Sequence, residues 1–124
     1  RTIRAFDYLA LAPYFQFKYV GNEDKPCVPK VTEETTDFAN NPRATVKEIY
    51  DLILSDLNYA VENLTVARVS KARINKTVAL GLRARVYMNM EKWAEAAADA
   101  QAALDLCKEE GLSPATANHC TGIL

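Results

Sequence analysis

The sequence lacks a long hydrophobic run and an excess of charge of either sign. No stretch approaches the roughly 18 consecutive apolar residues that a membrane-spanning helix needs. The 15 basic and 16 acidic residues are interspersed and leave a formal net charge of −1, which argues against nucleic-acid binding. Because the chain begins at Arg1 directly in a helical pattern, we expect it to be a piece of a longer protein, with any lipid anchor lying outside it.

Residues for metal, redox and catalytic chemistry are scarce. The three cysteines are too scattered for a disulfide framework, although Cys107 and Cys120 would close a loop in an oxidising compartment. The single histidine, His119, lies near both, but this set lacks a regular ligand pair and a fourth ligand. No phosphate loop, nucleophile elbow or zinc-protease motif occurs. We therefore expect no enzyme activity, no metal and no cofactor.

Hydrophobic spacing instead predicts a helical protein. A chain of 124 residues is long enough to form one hydrophobic core. A first helix is expected from about Thr2, and Pro13 should kink or end it unless a second helical piece begins there. Thr45 and Glu48 form a capping box that opens the next helix. The apolar stripe of that helix comprises Val46, Ile49, Tyr50, Ile53, Leu57, Ala60, Val61 and Leu64.

A third helix, capped by Asn75, is apolar on two faces, which predicts neighbours on both sides. Leu80, Ala84, Tyr87 and Met88 form one face, and Leu82, Val86 and Met90 form the other. Arg83 projects between these faces, where an unpaired charge would be costly. Since Asp56 lies at the edge of the preceding stripe, we predict that Asp56 pairs with Arg83.

A turn over residues 89–92 precedes the last helix, whose predicted contact stripe is rich in alanine. This stripe comprises Trp93, Ala96, Ala97, Ala100, Ala103, Leu104 and Cys107. We predict that Trp93 is buried as the packing anchor between the third and fourth helices. On that interpretation Trp93→Ala is the most damaging single change.

The predicted fold is all-α, with tetratricopeptide-like antiparallel helix pairs and one long irregular loop over residues 22–44. That loop holds three prolines and no sustained period, and loops of this length are usually functional or mobile. We place a helical-repeat domain at residues 1–108 and an irregular tail at 109–124.

The first segment holds six of the eleven aromatic residues. Core packing explains most of them, but Tyr14 and Tyr19 carry hydroxyls that suit a stacking platform for a sugar ring or a peptide. With the nearby Asn22 they are the candidate ligand-binding residues.

Residues 79–104 match a 34-residue helical repeat. Leu80 and Ala84 stand at its first bulky and small positions, Tyr87 and Trp93 at its aromatic positions, and alanines such as Ala96 follow. The repeat is degenerate, since the glycine expected in the turn and the proline at the end are absent.

Four segments in order carry a more specific resemblance: RAFDYLAL, VPKV, RATVKEIYDLILSDLNYAVENL and RINKTVALGLRARVYMNMEKWAEAAADAQAAL. Together they resemble the helical-repeat region of the SusD/RagB family of Bacteroidetes outer-membrane lipoproteins, over about residues 1–104. The charged insertion GNEDKPC and the tail after Cys107 depart from that pattern.

The resemblance implies a non-catalytic protein that captures nutrients, mostly oligosaccharides, at the outer face of the outer membrane. It also implies a partner, a TonB-dependent transporter of the SusC type, on which such proteins sit as a lid. In that family the helices mainly form scaffold and transporter contacts. The alternative is a stand-alone repeat module that binds a peptide, for which Arg85 and Asn89 on one side of their helix are the supporting residues.

Overall fold

The computed structural model describes residues 1–67, 70 and 72–109. In this part of the chain four helices and two short strands follow in the order α1 (Thr2–Phe15), β1 (Pro26–Pro29), β2 (Arg43–Thr45), α2 (Val46–Asn63), α3 (Lys76–Asn89) and α4 (Trp93–Glu109). Consecutive helices pack on each other, α1 on α2, α2 on α3 and α3 on α4. This architecture confirms the predicted helical fold class. The predicted tail, with His119 and Cys120, lies outside the described residues apart from the end of α4.

Helix α1 continues past its proline and ends two residues later, at Phe15. Pro13 removes one backbone donor, but the loss falls in the last turn, where few bonds follow it. The Gln16 amide still donates to the Ala12 carbonyl at 3.0 Å and closes the helix. Gly21, at φ 83°, then occupies the left-handed region in the turn that leads away.

Both predicted helix caps are present. At the start of α2 the Thr45 hydroxyl accepts from the Glu48 amide at 3.2 Å, and the Glu48 carboxylate accepts from the Thr45 amide at 2.8 Å. At the start of α3 the Asn75 side-chain oxygen accepts from the Val78 amide at 3.1 Å. Local sequence therefore determined where these two helices begin.

The loop between α1 and α2 is more ordered than predicted, because it contains an antiparallel ribbon of β1 and β2. Pro26 pairs with Thr45 and Pro29 with Arg43, with an irregularity in the register between them. The Arg43 side chain also donates to the Cys27 carbonyl at 2.6 Å. Hydrophobic periodicity in the sequence does not predict this ribbon, since each strand is only three or four residues long and β1 holds two prolines.

The core lies where α2 meets α1, β1 and α3. The side chains of Ile49, Ile53 and Leu57 on α2 are completely buried. They are joined by Ala5, Tyr8 and Ala12 from α1, Cys27 and Val28 from β1, and Val86 and Met90 from α3. The predicted stripe of α2 is thus the centre of the molecule, with α1 and α3 as neighbours.

The turn between α3 and α4 lacks the expected glycine, and Glu91 adopts the left-handed conformation there, at φ 58°. A side chain in this conformation costs roughly 1–2 kcal/mol. The Glu91 carboxylate lies 2.9 Å from the Lys18 ammonium, which ties this turn to the segment after α1.

The predicted burial of Trp93 is wrong, because its side chain is 62% exposed. Three residues of the predicted stripe, Ala96, Ala103 and Cys107, are buried or half-buried, and Asp99 and Leu106 join them on the least exposed line of α4. This line is rotated by about a quarter of a turn from the predicted stripe, at 100° per residue. On this line Asp99 pairs with Arg83 of α3, while Trp93, Ala97 and Ala100 are exposed.

No helix in the described part of the chain has both the length and the apolar character needed to cross a membrane.

Candidate functional site

An exposed aromatic edge lies at the end of α1 and just beyond it. Tyr14, on the last turn of α1, is 87% exposed, and Phe17 is 99% exposed. Phe15, between them in sequence, is half exposed and lies under the Arg43 guanidinium, whose carbon is 5.4 Å from the ring centroid. We call Tyr14, Phe15 and Phe17 the exposed aromatic edge. Large apolar rings in water mark a surface that contacts something else.

The other two candidate residues belong to the turn after α1. The ring of Tyr19 packs on that of Tyr50 with centroids 4.8 Å apart. Burial raises the pKa of the Tyr19 hydroxyl above its usual value. The Asn22 side-chain amide donates to the Lys18 carbonyl at 2.9 Å. Tyr19 and Asn22 therefore shape the turn, while Tyr14 stands free on the helix.

A long apolar groove runs beside the aromatic edge, between α1 and the segment around β1. Its volume is about 640 Å³, within the range of small-molecule sites. The lining residues are Ile3, Arg4, Asp7, Tyr8, Leu11, Phe15, Val28, Pro29 and Val31. We call this the α1 groove. The apolar spacing of α1 could have predicted one wall, but the other wall comes from the non-periodic loop.

Tyr8 fixes the second wall of the α1 groove to the helix. Its hydroxyl donates to the Pro29 carbonyl at 3.1 Å and accepts from the Val31 amide at 2.7 Å. The ring itself is buried in the core. A phenol thus supplies the backbone hydrogen bonds that an isolated loop segment lacks.

The charged end of the α1 groove corrects the predicted ion pair. Asp56 does not pair with Arg83; its two carboxylate oxygens accept from Nε and Nη2 of Arg4, each at 2.7 Å. The remaining Nη1 of Arg4 donates to Glu33 at 2.7 Å. This hydrogen bond from Arg4 lowers the pKa of the Glu33 carboxyl below its usual value. Arg4 therefore joins α1, α2 and the loop.

Arg83 meets a different carboxylate, on α4. Its Nε and Nη2 donate to Asp99 at 2.6 and 2.7 Å, and its Nη1 donates to the Asn58 side chain at 2.9 Å. The prediction that Arg83 needs an acidic partner was correct, but the chosen partner, Asp56, was wrong. Of the other predicted structural residues, Tyr87 is half-buried and Ala96 is buried.

This surface combines apolar walls with exposed aromatic rings. Apolar walls and exposed rings favour contact with the C–H faces of a ligand such as a sugar ring. Within the described residues no group of three or more histidine, cysteine, aspartate or glutamate side chains could hold a metal ion. The candidate set of Cys107, His119 and Cys120 lies partly outside those residues.

Comparison with known proteins identifies the family. The SusD-like family model, described as "Starch-binding associating with outer membrane", matches residues 2–88. No curated protein matches the chain.

Solved structures from Bacteroides species share the fold. A putative sugar-binding protein from Bacteroides vulgatus is 30% identical, with a TM-score of 0.79 over 89% of this chain. A SusD-like carbohydrate-binding protein from the same species is 30% identical, with a TM-score of 0.75 over 84%. A SusD superfamily protein from Bacteroides thetaiotaomicron is 27% identical, with a TM-score of 0.73 over 83%. The chain spans only 25%, 23% and 22% of these three proteins.

Proposed function

This chain belongs to the SusD-like family, and we propose on that basis that it is part of a non-catalytic protein that captures oligosaccharides at the bacterial surface. The family is described as starch-binding and associated with the outer membrane. Two of the structural relatives are described as sugar- or carbohydrate-binding proteins. The contribution of this chain is a helical scaffold that presents a binding surface.

The exposed aromatic edge carries the proposal. Tyr14 and Phe17 offer ring faces to solvent, and Phe15, between them in sequence, lines the apolar α1 groove. Exposed ring faces attract the C–H side of a pyranose ring. Tyr14 is held on a helix, and the turn that follows is fixed by the packing of Tyr19 on Tyr50. In this proposal Tyr14 stacks on the sugar, while Tyr19 and Asn22 position the turn and contribute polar groups at its edge.

We further propose that the protein acts with a TonB-dependent transporter of the SusC type on the extracellular face of the outer membrane. The resemblance of four segments in order supports this partner, and the family description supports association with the outer membrane. Contact with the membrane would then depend on a lipid anchor outside this chain. The helical scaffold is the part proposed to contact the transporter.

Glycan binding can be tested by calorimetric titration with a malto-oligosaccharide. Tyr14→Ala should raise the dissociation constant about tenfold, because one stacking contact contributes on the order of 1 kcal/mol or more. Phe17→Ala should act in the same direction. Phe38→Ala is the matched control, since Phe38 is 69% exposed but lies in the loop. Equal effects of Tyr14→Ala and Phe38→Ala would contradict the assignment of the aromatic edge.

A further inference from the structure

A second cleft lies on the other side of α1, where that helix faces α3. It is lined by Phe6, Leu9 and Ala10 from α1 and by Arg85 and Asn89 from α3, and its volume is about 360 Å³. We call it the α1–α3 cleft. It shares no residue with the α1 groove, and its size suits one or two sugar rings rather than a long chain.

Arg85 distinguishes this cleft from the rest of the charged surface. Arg4 and Arg83 each use three donors on acidic or amide partners. Within the described part of the chain, the Arg85 guanidinium has neither a hydrogen bond nor an ion pair. Its planar set of donors is therefore free to bind a carboxylate with two parallel hydrogen bonds.

Asn89 and Phe6 supply the other two contacts. Asn89 lies one helical turn beyond Arg85, about 6 Å along the axis. Among the described residues its side chain makes one hydrogen bond, a 3.5 Å donation to the Tyr50 hydroxyl. Its amide oxygen remains available to accept from a ligand hydroxyl. Phe6, across the cleft, is 48% exposed and offers a ring to an apolar face.

We propose that the α1–α3 cleft binds an acidic sugar, a uronic acid unit of an oligosaccharide. The Arg85 guanidinium binds the carboxylate, the Asn89 amide binds a ring hydroxyl, and Phe6 packs on the C–H face of the same ring. A cation, an amide and an aromatic ring around a space of this size match the three kinds of group on one uronate. The inference rests on the proposed function, because it takes the ligand to be a glycan, and it adds a charged substrate class to it.

The test is calorimetric titration with digalacturonate and with a neutral galactose disaccharide, at about 25 mM and about 300 mM salt. Arg85→Gln should weaken binding of the acidic sugar about tenfold and leave binding of the neutral sugar unchanged. The loss of affinity at high salt should disappear in this variant. Lys25→Gln is the matched control, because it removes one exposed positive charge outside the cleft and should have no effect.

Phe6→Leu is the second variant, which keeps an apolar side chain and removes the ring. It should weaken binding of the acidic sugar a few-fold. Equal effects of Arg85→Gln and Lys25→Gln would overturn the inference, as would an acidic peptide that binds through Arg85 where the sugar does not. If the malto-oligosaccharide binds through Tyr14 and digalacturonate does not bind, the proposed function stands and this inference fails.

Discussion

The α1–α2 pair and the α3–α4 pair are bridged by the same kind of contact in different surroundings. Arg4 on α1 holds Asp56 on α2 with two hydrogen bonds, and Arg83 on α3 holds Asp99 on α4 in the same way. The Asp56 side chain is only 2% exposed, whereas that of Asp99 is 11% exposed. The Asp56 carboxylate is thus closed inside the core and the Asp99 carboxylate lies nearer the surface, while the two arginine side chains are about equally exposed, at 22% and 19%.

The third donor of each arginine differs as well. Arg4 uses it on Glu33 and so attaches the loop to α1, while Arg83 uses it on Asn58 and so attaches the second helix pair to α2. Each arginine therefore makes two kinds of contact. It joins the two helices of its own pair, and it attaches that pair to another segment of the chain. The different burial of the Asp56 and Asp99 carboxylates predicts a ranking of mutational effects.

Removal of the deeper carboxylate should have the largest effect. Asp56→Ala leaves the Arg4 guanidinium without its buried partner, and we expect a loss of about 3 kcal/mol in the free energy of unfolding. Chemical denaturation monitored by circular dichroism measures it. Asp51→Ala is the control, since that carboxylate bonds to Lys47 on the open surface of α2 and should change stability little.

The shallower carboxylate should matter less. Asp99→Ala is expected to cost about 2 kcal/mol, because the Asp99 side chain is more exposed than that of Asp56 and its hydrogen bonds with Arg83 lie nearer to water. A double-mutant cycle sharpens the comparison: Arg83 should couple to Asp99 and not to Asp56. A cost for Asp99→Ala equal to or above that for Asp56→Ala would break the ranking by burial.

Trp93→Ala should cost about 1 kcal/mol or less, because most of the ring already contacts water. Thermal unfolding of Trp93→Ala is compared with that of Ile53→Ala. The second variant leaves a cavity at the fully buried Ile53 and should lower the free energy of unfolding by at least about 2 kcal/mol. A larger effect at Trp93 would mean that α4 packs through the stripe predicted from sequence.

The smallest effect concerns acid stability at the loop contact of Arg4. Because the folded-state pKa of Glu33 is lowered below 4.5 by Arg4, its contribution is present above pH 4.5 and is lost as the pH falls through the folded-state pKa. Glu33→Gln should therefore reduce the loss of stability as the pH falls below 4.5. Unfolding curves of the unmodified protein and of Glu33→Gln at several pH values measure this difference. The same loss of stability at acidic pH in both proteins would exclude the contact between Arg4 and Glu33.

Sequence reasoning succeeded where neighbouring residues decide the outcome. The caps at Thr45 and Asn75 and the buried stripe of α2 follow from local hydrogen bonding and helical period. It failed where distant residues compete for one partner. Arg83 had two carboxylates to choose from, and only the rotation of α4 brings Asp99 to it. The same rotation exposes Trp93.

The candidate site shows the same division. Exposed aromatics at the end of α1 could be proposed from composition, and Tyr14 does lie in solvent. Neither the α1 groove nor the α1–α3 cleft could be predicted, because each combines α1 with a segment far away in sequence. The roles of Tyr14, Tyr19 and Asn22 in ligand binding, and the boundary near residue 108, stay predictions.

The sequence by itself determined the helices, their starts and the family, because capping, helical period and the order of four segments are local properties of the chain. Only the tertiary structure decided which arginine meets which aspartate, which side of α4 is buried, and where the loop forms a ribbon. The physical reason is that an ion pair or a cleft is made by two surfaces at once. Helical period constrains each surface separately, and packing alone brings the two into register.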